Sequence, residues 1–299
     1  MFQHRLRRRP WWALLSAALI VALFAGCGTL RDFLRVPTWL PPEGVLKRAQ
    51  TCRLAGKTVK VDFYLPPHAD SAPVVVIAHG FSRNRKTMAG WGGMLAQDGF
   101  LAIVPDLPTW KDHERNGKAV AELLAGVQAG QWIQQPRPGG RAALVGFSAG
   151  GAATLVAAEG NTNVICWIGL DPVGKGKATL QAAALLDVPG FVLRAEPSRW
   201  NANGNARDIF NALSGPAFSL VVHRASHVDA ENPTSRAAEW ACGASDPERR
   251  EVFGRYLLAS VRAGLRRDEA AFNQLRAATN DAAVREVQFR KPEGFEFAP

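Results

Sequence analysis

The chain of 299 residues contains no Gly-x-Gly-x-x-Gly run, and its cysteines, histidines and carboxylates nowhere take the spacing of a metal site. A dinucleotide-dependent dehydrogenase and a metallohydrolase are both disfavoured, and no cofactor or metal is expected. There is no internal repeat, no Gly/Ser linker, and no Lys/Arg run interleaved with aromatics. Neither a repeat array nor a nucleic-acid interface has support. Cysteine is scarce, at 4 residues, whereas hydrophobic residues make up 47%, ample for a buried core.

Charge is concentrated at the start. Arg5, Arg7, Arg8 and Arg9 precede an uncharged apolar run from Trp11 to Ala25, short for a membrane-spanning helix and suited to a secretory signal. Its end, Leu23-Phe-Ala-Gly-Cys27, resembles a bacterial lipobox, with Phe24 where leucine is commoner. On that reading residues 1–26 are a lipoprotein signal peptide and Cys27 is the lipidated first residue of an exported envelope protein. An ordinary signal peptide or an uncleaved anchor are the alternatives. Gly28, in place of aspartate, points to the outer membrane, facing the periplasm. Four arginines and no acid leave with residues 1–26, so the net charge falls from +10 to +6, a basic surface suited to an anionic envelope. Residues 27–57, with Pro37, Pro41 and Pro42, read as a tether and N-terminal segment. Cys52, Cys166 and Cys242 allow one disulfide and one free thiol; Cys166 lies in an apolar run, which leaves Cys52 and Cys242 as a pair that could join.

From residue 58 to 267, short apolar runs alternate with helical patterns, predicting one α/β domain with a mostly parallel sheet and helices on both faces. Strands are expected over 58–65, 73–78, 100–104, 142–145, 164–170, 190–194 and 218–222. Helices are expected over 88–97, 119–134, 149–159 and 247–265. No long insertion follows the later strands, so no large cap domain is expected. Residues 268–299 read as a charged C-terminal surface segment.

The chemistry centres on Gly146-Phe-Ser-Ala-Gly150, in which an apolar strand delivers Ser148 onto a turn too tight for flanking side chains and a helix follows. A serine nucleophile needs a base, an acid to orient the base, and donors for the oxyanion. Only His223 and His227 lie downstream. His223 sits within a strand, whereas His227 follows it in a loop, where a base must hang. Asp171 and Glu196 both end strands, and either could orient His227. Chain order favours Asp171, with Glu196 in reserve; Asp229, two residues from the histidine, reads as a brace for its loop. The N–H groups of Ala149 and of Phe81, in His79-Gly80-Phe81, read as the oxyanion hole, with His79 positional. Trp91, Trp110, Trp167 and Trp200 are candidates for an apolar pocket wall.

These elements, together with Ile168-Gly-Leu-Asp-Pro-Val173 and Ser226-His-Val-Asp229, resemble in order the chlorophyllase-like branch of the α/β-hydrolase superfamily. The resemblance spans residues 58–265 and implies the α/β-hydrolase fold. It places the acid on the Gly-x-Asp-Pro-Val element, hence on Asp171; relatives of the dienelactone-hydrolase type carry it one strand later, near Ser198, where this chain offers Glu196. Ser226 replaces the glycine usual before the base, and chlorophyll is not carried over as substrate. The implied activity is a serine esterase on a small or lipid-like ester, without cofactor, held at a membrane by its lipid. An envelope acyltransferase on the same triad is one alternative, separable by adding an alcohol acceptor. A non-catalytic hydrolase-fold lipoprotein is another, opposed by the complete set of reactive residues.

Overall fold

The computed structural model describes residues 30–174 and 176–291. The expected signal segment 1–26 and the expected lipidation site Cys27 therefore lie outside the described residues. Among the described residues, no helix is long and apolar enough to cross a membrane.

After a short helix α1 (Leu30–Leu34) come strands β1 (Leu46–Leu54), β2 (Lys57–Leu65) and β3 (Ser71–Ala78). The chain then alternates: α2 (Ala89–Gln97), β4 (Leu101–Pro105), α3 (His113–Gln128), β5 (Arg137–Phe147), α4 (Ala149–Ala158), β6 (Val164–Leu170), α5 (Lys177–Leu185), β7 (Gly190–Arg194), α6 (Ala206–Ala212) and β8 (Ala217–Val222). It closes with α7 (Arg236–Cys242), α8 (Pro247–Val261), α9 (Glu269–Ala277) and β9 (Val284–Arg290). The strands form one sheet in the order β1-β2-β4-β3-β5-β6-β7-β8-β9. The six from β4 to β8 in that order run parallel, with antiparallel strands at both edges. This is the sheet expected of an α/β-hydrolase fold, and among the described residues no large cap domain interrupts it.

Alternation along the strands divides the core in two. In β3, Val75 and Ile77 join a cluster with Trp91 and Leu95 of α2, Phe253 and Leu257 of α8, and Phe272 of α9. Val74, Val76 and Ala78 face the other way, onto Val120 and Leu123 of α3, Leu155 of α4 and Ile209 of α6. A β-branched run buried on both faces is what a central parallel strand requires. The helices start where the sequence supplies side-chain caps. Asp112 accepts the Arg115 N–H at 2.9 Å and opens α3 six residues before the position expected from periodicity. Asp246 accepts the N–H groups of Glu248 and Arg249, with Pro247 at the first helical position of α8.

The sheet extends past residues 58–267 at both ends. β1 pairs with β2 from Leu46↔Leu65 to Leu54↔Lys57, so the end of the expected tether is structural. β9 pairs with β8, so the C-terminal segment forms an edge of the sheet. The stretch before β1 is held too: Trp39 meets Tyr64 edge-on with ring centroids 6.0 Å apart, and its ring fills the space a Cβ on Gly93 would need, 1.7 Å away. Cys52, Cys166 and Cys242 are all free thiols, so Cys52 and Cys242 are not paired. Burial pushes the Cys52 thiol up to about 11 and raises Cys166 as well, keeping both protonated and inert.

Candidate active site

β5 ends at Phe147, α4 begins at Ala149, and Ser148 alone makes the turn, with φ 53° and ψ −125°. Such a conformation costs a non-glycine residue on the order of 1–3 kcal/mol and persists only where the surroundings enforce it. They do. A Cβ at Gly146 would fall 2.4 Å from the Gly150 carbonyl oxygen, and one at Gly150 would fall 2.5 Å from those of Ala78 and His79. The Ser148 N–H donates to the Leu170 carbonyl at 3.1 Å, and its own carbonyl accepts from Val173 at 2.9 Å, tying the turn to the end of β6.

His227 opens a 3-10 turn after β8. Asp229 braces that turn, accepting from Ser226 N–H at 2.7 Å, Asp246 N–H at 2.7 Å and Arg249 Nε at 2.8 Å. The imidazole packs against Phe147, with ring centroids 4.8 Å apart. So held, His227 Nε2 lies 2.9 Å from Ser148 Oγ, and Nδ1 lies 2.6 Å from Asp171 Oδ2. All three side chains are buried.

Asp171 is fully buried and otherwise surrounded by donors. Ala195 N–H donates to Oδ1 at 3.0 Å, and Asn201 Nδ2 donates to Oδ2 at 3.0 Å. These donors satisfy a desolvated carboxylate and aim it at His227. Glu196 is turned elsewhere, accepting the Arg224 N–H at 3.0 Å and Arg285 Nε at 3.0 Å. His223 contacts Glu196 at 3.9 Å rather than the serine. Asn201 escaped sequence reading. It is buried in the turn after Ser198, whose N–H donates to its Oδ1 at 2.8 Å, and its link to Asp171 crosses 30 residues.

The loop after β3 lies against the elbow. His79 is buried, its Nδ1 donates to the Gly80 carbonyl at 2.9 Å, and Nε2 accepts the Leu107 N–H at 2.9 Å. That pattern needs the neutral ring, and burial lowers its proton affinity accordingly. His79 thus pins the loop carrying Phe81 to the loop after β4. Ser148, His227 and Phe81 open on a cavity of about 360 Å³, whose walls include Phe147, Trp200, Ala238 and Ala241 of α7, and Leu34 and Val36 from the segment before β1. Among the described residues lining it, Arg83 carries the one fixed charge, and its Nε pairs with buried Glu231 at 2.5 Å. Of the four tryptophans proposed for a pocket wall, only Trp200 lines this cavity. Trp110 meets Phe81 edge-on outside it, whereas Trp91 and Trp167 are buried, their indole N–H groups donating to Ala230 carbonyl and Thr154 Oγ1. Both are packing residues.

Among the described residues no group of His, Cys, Asp and Glu is placed to hold a metal. The arrangement can draw a proton from Ser148 into His227 while Asp171 faces the charge that forms. Compared with known families, the chain matches the model described as the alpha/beta hydrolase family over residues 75–292, more than half its length. No curated protein matches it.

Proposed function

The chain belongs to the alpha/beta hydrolase family, and from that premise we propose that it is a serine hydrolase cleaving carboxylic esters. The observation that carries this reading is the line Ser148–His227–Asp171, with contacts of 2.9 and 2.6 Å, whose serine and histidine open on a cavity walled by both apolar and polar side chains. Ser148 Oγ attacks the ester carbonyl and gives its proton to His227 Nε2; Asp171 holds the ring by Nδ1 and balances its positive charge. The carbonyl oxygen takes the electron pair and is held by the N–H groups of Phe81 and Ala149, neither of which is spent on an acceptor among the described residues. The alcohol leaves with the proton from His227. Water, deprotonated by the same ring, then releases the acid from the acyl-enzyme.

An acid on the strand next to the elbow strand, at Asp171, supports the chlorophyllase-like branch over the dienelactone-hydrolase type, since Glu196 is committed to Arg285. We propose further that the protein is exported and anchored in the envelope through a lipid on Cys27, on the strength of the sequence around it. A fluorophosphonate probe should label the wild type and leave Ser148→Ala unlabelled, in parallel with loss of 4-nitrophenyl ester turnover. Labelling that persists in Ser148→Ala would remove the nucleophile.

A further inference from the structure

Among the described residues, six of the ten large apolar side chains left in solvent belong to segments around one opening, whereas Leu40, Leu46, Leu180 and Leu185 lie elsewhere. Leu34, Phe81 and Trp200 stand 59%, 48% and 40% exposed while lining the cavity that holds Ser148. Trp110, 66% exposed, packs edge-on against Phe81 with ring centroids 6.2 Å apart. Leu30 on α1 is 58% exposed and Trp240 on α7 82%, and these two helices pack together beside the cavity. A rim of this kind around one opening marks an interaction surface.

Its charges narrow the partner. Arg31 follows Leu30, Arg35 follows Leu34 and Lys111 follows Trp110. The Arg199 guanidinium lies over the Trp200 ring at 4.8 Å, and Arg236 is one helical turn from Trp240. Asp32 and Glu239 are the acids of α1 and α7. Apolar tips, five of the six with a cation near them in the chain, suit the headgroup layer of an anionic bilayer, where rings and aliphatic chains enter the acyl boundary and cations meet phosphate.

Chain length supplies a second, independent argument. Cys27 precedes Leu30 by three positions. At about 3.5 Å per residue, a lipid carried there would enter its membrane within about 10 Å of α1, and so beside the cavity mouth.

We infer that the rim of the catalytic cavity docks on the anionic bilayer to which the chain is anchored, and that the substrate is a lipid-like ester entering from that bilayer. This rests on the lipoprotein reading and names the substrate class of the proposed hydrolase. Acyl chains would pass between the rim residues Leu34, Phe81 and Trp200 to Ser148 without crossing water.

The test uses the full, lipidated chain in vesicles of phosphatidylglycerol and phosphatidylethanolamine. The variant Leu30→Ser/Trp110→Ser/Trp240→Ser changes three rim positions that do not line the cavity. Turnover of 4-methylumbelliferyl palmitate embedded in the vesicles should fall on the order of tenfold as apolar rim contacts are lost, with dissolved 4-methylumbelliferyl acetate turned over as before. Equal losses on both esters, or none on either, overturn the docking face. Quenching of tryptophan by brominated phosphatidylglycerol reads docking without turnover and should be stronger in wild type than in Leu30→Ser/Leu34→Ser, which keeps every tryptophan. Quenching that does not differ overturns the proposal, as it would if the rim met a protein instead. Should both esters prove inert while the quenching difference persists, the docking face stands and the hydrolase fails. No palmitate-analogue label on Cys27 removes the anchor, and the docking geometry with it.

Discussion

Replacing Asp171 by asparagine changes one atom's hydrogen-bonding sense in a pocket that offers only donors. Ala195 N–H, Asn201 Nδ2 and His227 Nδ1 face the carboxylate at 3.0, 3.0 and 2.6 Å. An amide NH2 placed where Oδ1 was would meet the Ala195 N–H. Placed where Oδ2 was, it would meet the Asn201 amide and oblige His227 to accept at Nδ1. Nε2 would then carry its proton toward Ser148 and could take none from it. In either orientation the negative charge is gone. A carboxylate and an imidazolium with charge centres about 4 Å apart attract by roughly 4 kcal/mol at an effective dielectric of 20, about three decades in rate. Inversion of the tautomer brings the loss toward ~10⁴. The expected fall in kcat for Asp171→Asn is therefore about 10³- to 10⁴-fold on 4-nitrophenyl butyrate, with the fold intact by circular dichroism. Glu196→Gln, which breaks only the Arg285 pair on a partly exposed edge, should stay within about threefold of wild type. The reasoning is refuted if Asp171→Asn keeps more than about a tenth of wild-type kcat, or if Glu196→Gln loses more than it does.

Asn201→Leu keeps the number and branching of side-chain heavy atoms, though not their volume, and removes a charge-assisted donor worth about 1.5–3 kcal/mol, so kcat should drop roughly 10- to 150-fold with KM little changed. A loss in KM alone would show that Asn201 shapes the pocket rather than holding Asp171. His79 gives a pH signature through stability. Burial keeps its ring neutral, below the ordinary histidine value of about 6.5, so the unfolded chain takes up a proton as pH falls that the folded chain refuses. Its contribution is present above that pH and lost below it. The urea midpoint should fall more between pH 7.5 and 5.5 for wild type than for His79→Gln, and equal falls would exclude the neutral ring as the cause.

The elbow was legible in the sequence because everything that enforces it is local: an apolar strand, two glycines that the Ala78, His79 and Gly150 carbonyls would not let carry a Cβ, and a helix start. The place of His227 was legible for the same reason, hanging one loop beyond a recognisable strand. Asn201 was not, since an asparagine in a turn is ordinary until the fold sets it 3.0 Å from a carboxylate 30 residues away. The edge strands were hidden by their own exposure. β1 reads Leu-Lys-Arg-Ala-Gln-Thr-Cys-Arg-Leu and β9 Val-Arg-Glu-Val-Gln-Phe-Arg, too charged to signal burial on either face. Leu34 and Val36 became cavity wall through Trp39, whose seat over Gly93 no spacing rule reveals.

Those same edge strands govern how the chain can be cut and when it is safe. β8, Ala-Phe-Ser-Leu-Val-Val, is buried along its whole length, and β9 alone covers its outer side. Without residues 284–290, a six-residue strand with five apolar residues and unpaired N–H and C=O groups becomes a ready template for a second copy of the chain. Among the described residues β9 is the last strand to be synthesised, and until it pairs with β8 the His227 side of the sheet has an open seam.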